Sequence, residues 1–470
     1  MNASVLSFAV TLMASFLFVA PSSSTAQTRN IEVDFSKVLG AIKPLNGVNG
    51  GPLMMRGNLD LSSNFSELGV KHVRLHDIPW MYNNVVDIQY VFSRFDADVN
   101  DPQSYDFFLT DHYIKSIKAL GAEITYRLGL SAEVPPIPVS YNNPPRDFAK
   151  WAAICAHIVQ HYNQGWANGY HYNIKYWEIW NEPDLDTDAF PTLEKYYKLY
   201  EVTARALKSV DPSVNVGGPT PGSPDRSKYF GFVEGFLKYC ADRKIPLDFV
   251  AWHDYASGPD DITSRAVRIQ ELLDKYGFSK VENVLDEWNY SPPGGWDLKN
   301  PKGRRHTFGE QMGGLPGAVF DASVLIYLQD TTVGVADYYT GTHMWWGLFD
   351  EYGAPRKAYF TFKAFKLLLD TPQRVSTSGS GQDGFAVIAG LSKDKSEATI
   401  LISNFRMPYN RYNITLRGLS WNRSFTYEKY AVDRSHDLAL TKSEKRSPGV
   451  TISEDVETPS VCLIRLRAVP

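Results

Sequence analysis

The sequence is poor in the features on which several functions depend. Only three cysteines, Cys155, Cys240 and Cys462, occur in 470 residues, far apart and in no Cys-x-x-Cys spacing. That gives neither a zinc site nor a disulfide framework, and buried thiols are expected. Basic charge is not in excess, because 48 Lys and Arg stand against 52 Asp and Glu; the basic stripe that a nucleic acid partner requires is missing. A phosphate-cradling P-loop, a paired Gly-rich dinucleotide turn and a Gly-x-Ser-x-Gly elbow are all absent, which disfavours nucleotide-dependent chemistry and serine hydrolases. His157 and His161 stand at i and i+4 but lack the adjacent Glu of a zincin. They are read as a helix surface, not as a metal site.

Long apolar runs are scarce too. One occupies residues 5–19, followed by Pro21 and a serine-rich stretch in which Ser24 and Ala26 permit cleavage after Ala26. It is too short for a stable membrane anchor, and residues 1–26 are read as a signal peptide although they carry no Lys or Arg. The expectation is a secreted or periplasmic protein. Export would make the sequons at Asn64, Asn413 and Asn422 possible glycosylation sites; Asn289 also fits.

What is abundant is aromatic surface: 27 Tyr, 25 Phe and 11 Trp, rings that fill cores and also match the CH faces and hydroxyls of sugars. From about residue 40 to 372, short β-type runs alternate with segments of helical periodicity, the pattern of an α/β fold with a parallel sheet. The runs fall at 42–48, 70–75, 122–128, 174–180, 214–218, 249–252, 284–287 and 335–346, and eight of them imply a closed (β/α)8 TIM barrel. Helical stripes lie between them, one through Trp151, Cys155, Ile158 and Tyr162, another through Tyr196, Tyr200 and Leu207, and a last one through Phe362 and Phe365. After the Ser/Gly-rich stretch 376–384 the period changes to two, in runs at 385–389, 398–403, 412–416, 425–432 and 461–466. Residues 373–470 are therefore expected to form an antiparallel β-sandwich accessory domain, and residues 27–39 a strand that can pair with it.

Two glutamates carry the chemistry. Glu182, in Trp180-Asn-Glu-Pro183, and Glu287, in Asp286-Glu-Trp-Asn289, sit where the fourth and seventh expected strands run out, so both should face the C-terminal mouth of a barrel. Each tripeptide alone is a weak signal, since a strand-end Glu is often a helix cap or salt-bridge partner. Together they form the pair that glycosidic hydrolysis requires, one proton donor and one carboxylate, and no cofactor or metal is needed.

Lys175-Tyr-Trp-Glu-Ile-Trp-Asn-Glu-Pro-Asp184 and Leu285-Asp-Glu-Trp-Asn289 resemble glycoside hydrolase family 39, the family of β-xylosidases and α-L-iduronidases. The resemblance implies a barrel with an accessory β-sandwich and a configuration-retaining double displacement, with Glu182 as acid/base and Glu287 as nucleophile. The charge of Glu287 should raise the pKa of Glu182 until the covalent intermediate removes it. By the same resemblance Asn181 bonds the sugar 2-hydroxyl, or alternatively holds its loop. His76 and Asp77 anchor the sugar, although His76 is equally readable as a bonded core histidine. Arg74 should orient carboxylates from within the barrel. His253 and Tyr255 resemble the family's His-x-Tyr pair. Trp345 and Trp346 end the eighth expected strand, so one should face the pocket, with Trp345 preferred. Glu351 resembles a position near the glycone at a shortened spacing, with a solvated loop acid as the alternative.

The leading reading is an exo-acting β-xylosidase on oligosaccharide or polysaccharide. Endo action, or an arabinose or uronate glycone, is the alternative; a uronate would call for an added cation, with Arg127, Arg304 and Arg305 as candidates. A non-catalytic carbohydrate-binding barrel would leave the paired glutamates as coincidence.

Overall fold

The computed structural model describes residues 27–469, apart from 55–57, 81–82, 132–144, 186–189, 296–299, 343–345, 383, 422–423 and 450. The expected signal segment, Trp345 and Asn422 lie outside the described residues. Eight parallel strands close into a barrel in chain order: β1 (Gly47–Asn49), β2 (His72–Leu75), β3 (Glu123–Leu128), β4 (Tyr176–Ile179), β5 (Asn215–Pro219), β6 (Phe249–Ala256), β7 (Glu282–Tyr290) and β8 (Val333–Tyr338), which returns to β1. This is the (β/α)8 architecture.

Helices form where apolar residues recur at helical spacing and a cap is available. The helix Phe148–Gln164 starts at Asp147, whose carboxylate accepts from the Lys150 amide, and stops at Gly165 in the left-handed region (φ 77°). Its inward stripe, Trp151, Cys155, Ile158 and Tyr162, is buried. His161 departs from the expected helix surface. It is buried, stacks on Phe107 with ring centroids 3.6 Å apart, and bonds Asp111 and the Trp166 carbonyl. The cause is the chain after Gly165, which folds back over that flank of the helix.

Two strand boundaries matter for the site. β6 and β7 run past their expected ends, so His253 and Tyr255 lie within β6, and Glu287, the last residue of its expected run, lies inside β7. β8 stops at Tyr338, well short of Trp346, so strand alternation does not set the directions of Trp345 and Trp346. Between β6 and β7 the register slips once: Trp252 pairs with Leu285, but His253 pairs with Glu287. Asp286 is the extra residue of a bulge, a device that re-aims neighbouring side chains.

Two short two-stranded sheets lie in the loops after β1 and β2, and the strands after the barrel are β9 (Gln373–Ser378), β10 (Phe385–Leu391), β11 (Glu397–Asn404), β12 (Arg411–Arg417), β13 (Phe425–Val432), β14 (Asp437–Arg446), β15 (Ile452–Asp455) and β16 (Ser460–Ala468). With the N-terminal strand Thr28–Ala41 they form one nine-stranded sheet. That strand pairs antiparallel with β9 and parallel with β12, the single parallel pairing of the sheet among the described residues. Val33, Val387, Ile400, Tyr412, Phe425 and Ile464 share one core, so the sheet curls over its own apolar face. The buried helix Leu315–Tyr327 joins this unit to the barrel: Ser323 Oγ donates to the Gly384 carbonyl, and Ser403 Oγ to that of Val319. Cys155, Cys240 and Cys462 are buried free thiols. No helix among the described residues is long and apolar enough to cross a membrane.

Candidate active site

The C-terminal end of the barrel is organised by one guanidinium. Arg74, on β2 and fully buried, donates from Nε and Nη2 to the two carboxylate oxygens of Glu178 on β4, at 2.7 and 2.6 Å. Its Nη1 donates to Glu287 Oε2 at 2.8 Å and to Asn49 Oδ1 at 3.0 Å, and its Nη2 also reaches Asn181 Oδ1 at 2.8 Å. Asp286 Oδ2 lies 3.3 Å from Nε. In a regular strand Asp286 and Glu287 would face opposite ways; the bulge turns both toward Arg74.

One guanidinium among three buried carboxyls leaves excess negative charge, which a low-dielectric interior resolves by protonation. Burial raises Asp286 well above the usual carboxylate range, whereas Glu178, burial notwithstanding, is drawn below it by the charge of Arg74 and its hydrogen bonds. Asp286 is therefore the member pushed toward its neutral form. Glu287 is raised by burial and by the charge of Glu182, with His253 first, then Arg74 and the Tyr255 hydroxyl, which donates to Oε1 at 2.7 Å, pulling the other way.

Glu182 stands just beyond β4 in the left-handed region (φ 44°), as do Trp180 (φ 74°), Thr220 (φ 51°) and Asp77 (φ 47°). Non-glycine residues in that conformation are costly and concentrate where function holds them. His253 Nδ1 meets Glu182 Oε1 at 2.8 Å. One oxygen of each glutamate and one nitrogen of His253 lie within 4.8 Å of one another, close to the separation of about 5–5.5 Å that lets one carboxyl attack while the other protonates. Such a trio is also a possible metal-ligand set, but a cation there would face Arg74, 2.8 Å from Glu287. The donor set fits proton handling better.

Burial first, and the charge of Asp184 second, raise Glu182 to about 7. The expected cause, the charge of Glu287, is corrected: burial is the first cause, and the carboxylate charge that adds to it is that of Asp184, while the repulsion between the two glutamates raises Glu287 instead. His253 is lowered to about 4 by burial, so the ring is neutral at working pH and does not force Glu182 to ionise. With Glu182 as the expected proton donor, kcat/KM should fall as pH rises through about 7. Asp184→Asn removes a charge that opposes ionisation and should move that alkaline limb to lower pH. A pH–rate profile checks it; an unmoved limb would show that Asp184 has no electrostatic role.

Asn181 is half-buried, and with its oxygen committed to Arg74 it offers its NH2 group as donor. His76 is buried with Nε2 3.2 Å from Asp77 and 3.8 Å from Glu287. Asp77 accepts from Tyr339 at 2.9 Å, and burial raises it to about 6. Buried His76 Nδ1 and Asp77 Oδ1 have no partner among the described residues, as expected of groups that await ligand hydroxyls. Trp346, half-buried, packs edge-on against Tyr255 at 5.9 Å and Tyr339 at 6.0 Å, so its ring belongs to the aromatic wall beside Glu287. The preference for Trp345 falls outside the described residues. Glu351 sits on an exposed turn and is not brought to the glutamates.

Sequence reasoning missed Glu178, Asp286, Asp184 and Gly222. A signal existed for Glu178, because a charge inside the apolar run Tyr176–Ile179 needs a buried partner, and Arg74 is the matching anomaly on β2. Asp184 accepts from the amides of Gly222 and Ser223 at 2.9 and 3.0 Å, tying the loop after β5 to the loop that carries Glu182. A Cβ at Gly222 would meet Glu182 Oε1 at 2.3 Å. Since the flexible carboxyl would be the group to move, Gly222→Ala should lower kcat by about tenfold or more with little change in melting temperature. Unchanged kcat would contradict this placement of Glu182.

The comparisons agree with this geometry. The family model for glycosyl hydrolases family 39 matches residues 26–293. A β-xylosidase of Geobacillus stearothermophilus is 33% identical over 175 residues, 32% of this chain and 33% of that protein. A β-xylosidase of Caldicellulosiruptor saccharolyticus is 23% identical over 408 residues, 77% of this chain and 76% of that one. Among solved structures, a glucosidase from Croceicoccus marinus superposes with a TM-score of 0.77 at 26% identity, covering 94% of this chain and all of its own. With the family model spanning more than half of the chain and both glutamates at one barrel mouth, the chain belongs to glycosyl hydrolases family 39.

Proposed function

We propose that this glycoside hydrolase is a secreted, exo-acting β-xylosidase that releases xylose from xylo-oligosaccharides with retention of configuration. The observation that carries the mechanism is the close approach of the Glu182 and Glu287 carboxyl oxygens, both within the 4.8 Å cluster with His253. Glu287, ionised and held by Arg74 and Tyr255, attacks the anomeric carbon. Glu182 delivers its proton to the departing oxygen, then takes a proton from water as that water releases the sugar. Support for xylose comes from the relatives described as β-xylosidases; support for export comes from the apolar run and small residues within 1–26.

A β-glucoside is the second reading, favoured by the similarity to the Croceicoccus glucosidase. Of the candidate cations for a uronate, Arg127 is buried, with Nη2 engaged by Asp87 at 2.9 Å and Nε and Nη1 without a partner among the described residues, and Arg304 and Arg305 are exposed.

A panel of nitrophenyl glycosides, run beside Glu182→Ala, tests the proposal. The β-xyloside should be the fastest substrate, xylotriose should yield xylose first, and export should leave a mature N-terminus near Gln27. A faster β-glucoside would transfer the glycone to glucose, and internal cleavage of xylan as the first event would overturn exo action.

A further inference from the structure

The accessory sheet reaches the strand of Glu287 through one side chain. Arg406, in the loop after β11, stands in the left-handed region (φ 59°), a conformation that a non-glycine residue keeps where surrounding contacts impose it. Its Nη2 donates to the Tyr290 hydroxyl at 2.6 Å, and its guanidinium lies 4.5 Å from the centre of the Phe405 ring and 5.7 Å from that of Tyr290. Tyr290 is the last residue of β7 and is buried. Its ring packs on Phe405 at 5.9 Å and on Phe320, from the helix Leu315–Tyr327, at 5.1 Å. Three elements therefore meet at this ring, and the exposed guanidinium closes the cluster on its solvent side.

From Tyr290 the contacts run inward. Its amide donates to Asn289 Oδ1 at 2.6 Å, and the NH2 group of the buried Asn289 donates to the Trp346 carbonyl at 3.2 Å and to the Tyr339 carbonyl. Tyr339 and Trp346 are the rings that pack against Tyr255 beside Glu287, and the Tyr339 hydroxyl also donates to Asp77 at 2.9 Å. One residue further on, the Ser291 amide donates to the Ala256 carbonyl at 2.8 Å, which ties the end of β7 to the end of β6. The two glutamates are held by other groups, Glu182 by His253 and Glu287 by Arg74 and Tyr255. A shift at the end of β7 therefore reaches the aromatic wall before it reaches the reacting carboxyls.

We propose that Arg406 is a positioning residue through which the accessory sheet, acting on Tyr290 and Asn289, sets the aromatic wall beside Glu287 and so takes part in choosing the sugar. The proposal rests on the hydrolase reading above and deepens it. Wild type, Arg406→Ala, Arg406→Lys and Tyr290→Phe are compared on the aryl β-xyloside and the aryl β-glucoside. Ser403→Ala is the control, because Ser403 joins the same two units through the Val319 carbonyl. Arg406→Ala and Tyr290→Phe should each raise KM on the preferred glycoside by about threefold or more and change the xyloside-to-glucoside ratio of kcat/KM by a similar factor, with kcat within about twofold and both pH limbs in place. The double variant should lose no more than either single one, since both break the same hydrogen bond. Arg406→Lys keeps a charged donor and should recover part of the loss. Ser403→Ala should lower the melting temperature and leave KM and the ratio alone. Unchanged KM and ratio in Arg406→Ala, or equal changes in Ser403→Ala, would overturn the proposal. Lack of turnover on every aryl glycoside would instead defeat the catalytic reading. Hydrogen exchange then decides the brace: faster exchange of the amides at Asn289–Ser291 in Arg406→Ala, but not in Ser403→Ala, supports it, and exchange equal to wild type contradicts it.

Discussion

Replacing Glu287 by alanine should lower turnover of an activated aryl glycoside by about 10⁴-fold, the scale expected when the nucleophile of a cooperative catalytic unit is deleted. Azide should then restore much of the rate and yield a glycosyl azide of inverted configuration. The cause is geometric. Arg74 Nη1 and the Tyr255 hydroxyl hold the two Glu287 oxygens at 2.8 and 2.7 Å, and truncation leaves an anion-sized space beside a guanidinium nitrogen that has lost its carboxylate. A small anion enters there and attacks from the nucleophile's side, in one displacement instead of two. Chromatography and NMR of the azide adduct check the outcome; an adduct of retained configuration would remove Glu287 from the nucleophile's role.

Arg74→Met should be nearly as damaging, and in two separable ways. The side chain is fully buried and contacts Glu178, Asp286, Glu287, Asn49 and Asn181. Removing one partner of a buried ion pair leaves an uncompensated charge, and a loss of about 3–5 kcal/mol is the usual scale. Denaturant unfolding measures that part. The catalytic part appears as a pH shift. Glu287 is already raised by burial, with Arg74 opposing the rise. Without Arg74 its pKa should climb further, so the ionised nucleophile should be present only at higher pH and the acid limb of the rate profile should move up. Arg74→Lys keeps the charge but not the planar fork, so it should recover stability more fully than activity. An unmoved acid limb would contradict the assigned role.

How far the chain could be read differs between scaffold and site. The barrel strands were legible because each is an apolar run bounded by polar turns, and both glutamates because their motifs sit at strand ends. Even Arg74 was readable as a carboxylate orienter, since a guanidinium inside an apolar strand needs a partner. The bulge at Asp286 was not legible, because a register slip is a property of the pairing between β6 and β7 and not of either run alone. The local sequence therefore assigns Asp286 to the opposite face from Glu287, where the structure turns both to Arg74. β14 (Asp437–Arg446) escaped notice because it is an edge strand, polar on both faces, with no buried side to impose alternation. The cause of the Glu182 shift was misread for a related reason: burial and the contribution of Asp184 depend on the loop after β5, which is joined to the loop carrying Glu182 only in the folded chain.

The central claim is that Glu287 becomes covalently bound to sugar while Glu182 serves both steps. Incubation with a 2-deoxy-2-fluoro glycoside of the preferred sugar carrying a good leaving group slows release of the intermediate, and peptide mapping by mass spectrometry then locates the label. The account predicts one glycosyl group per chain, on Glu287; a label on Glu182 or another residue, or inactivation with no covalent label, would contradict it.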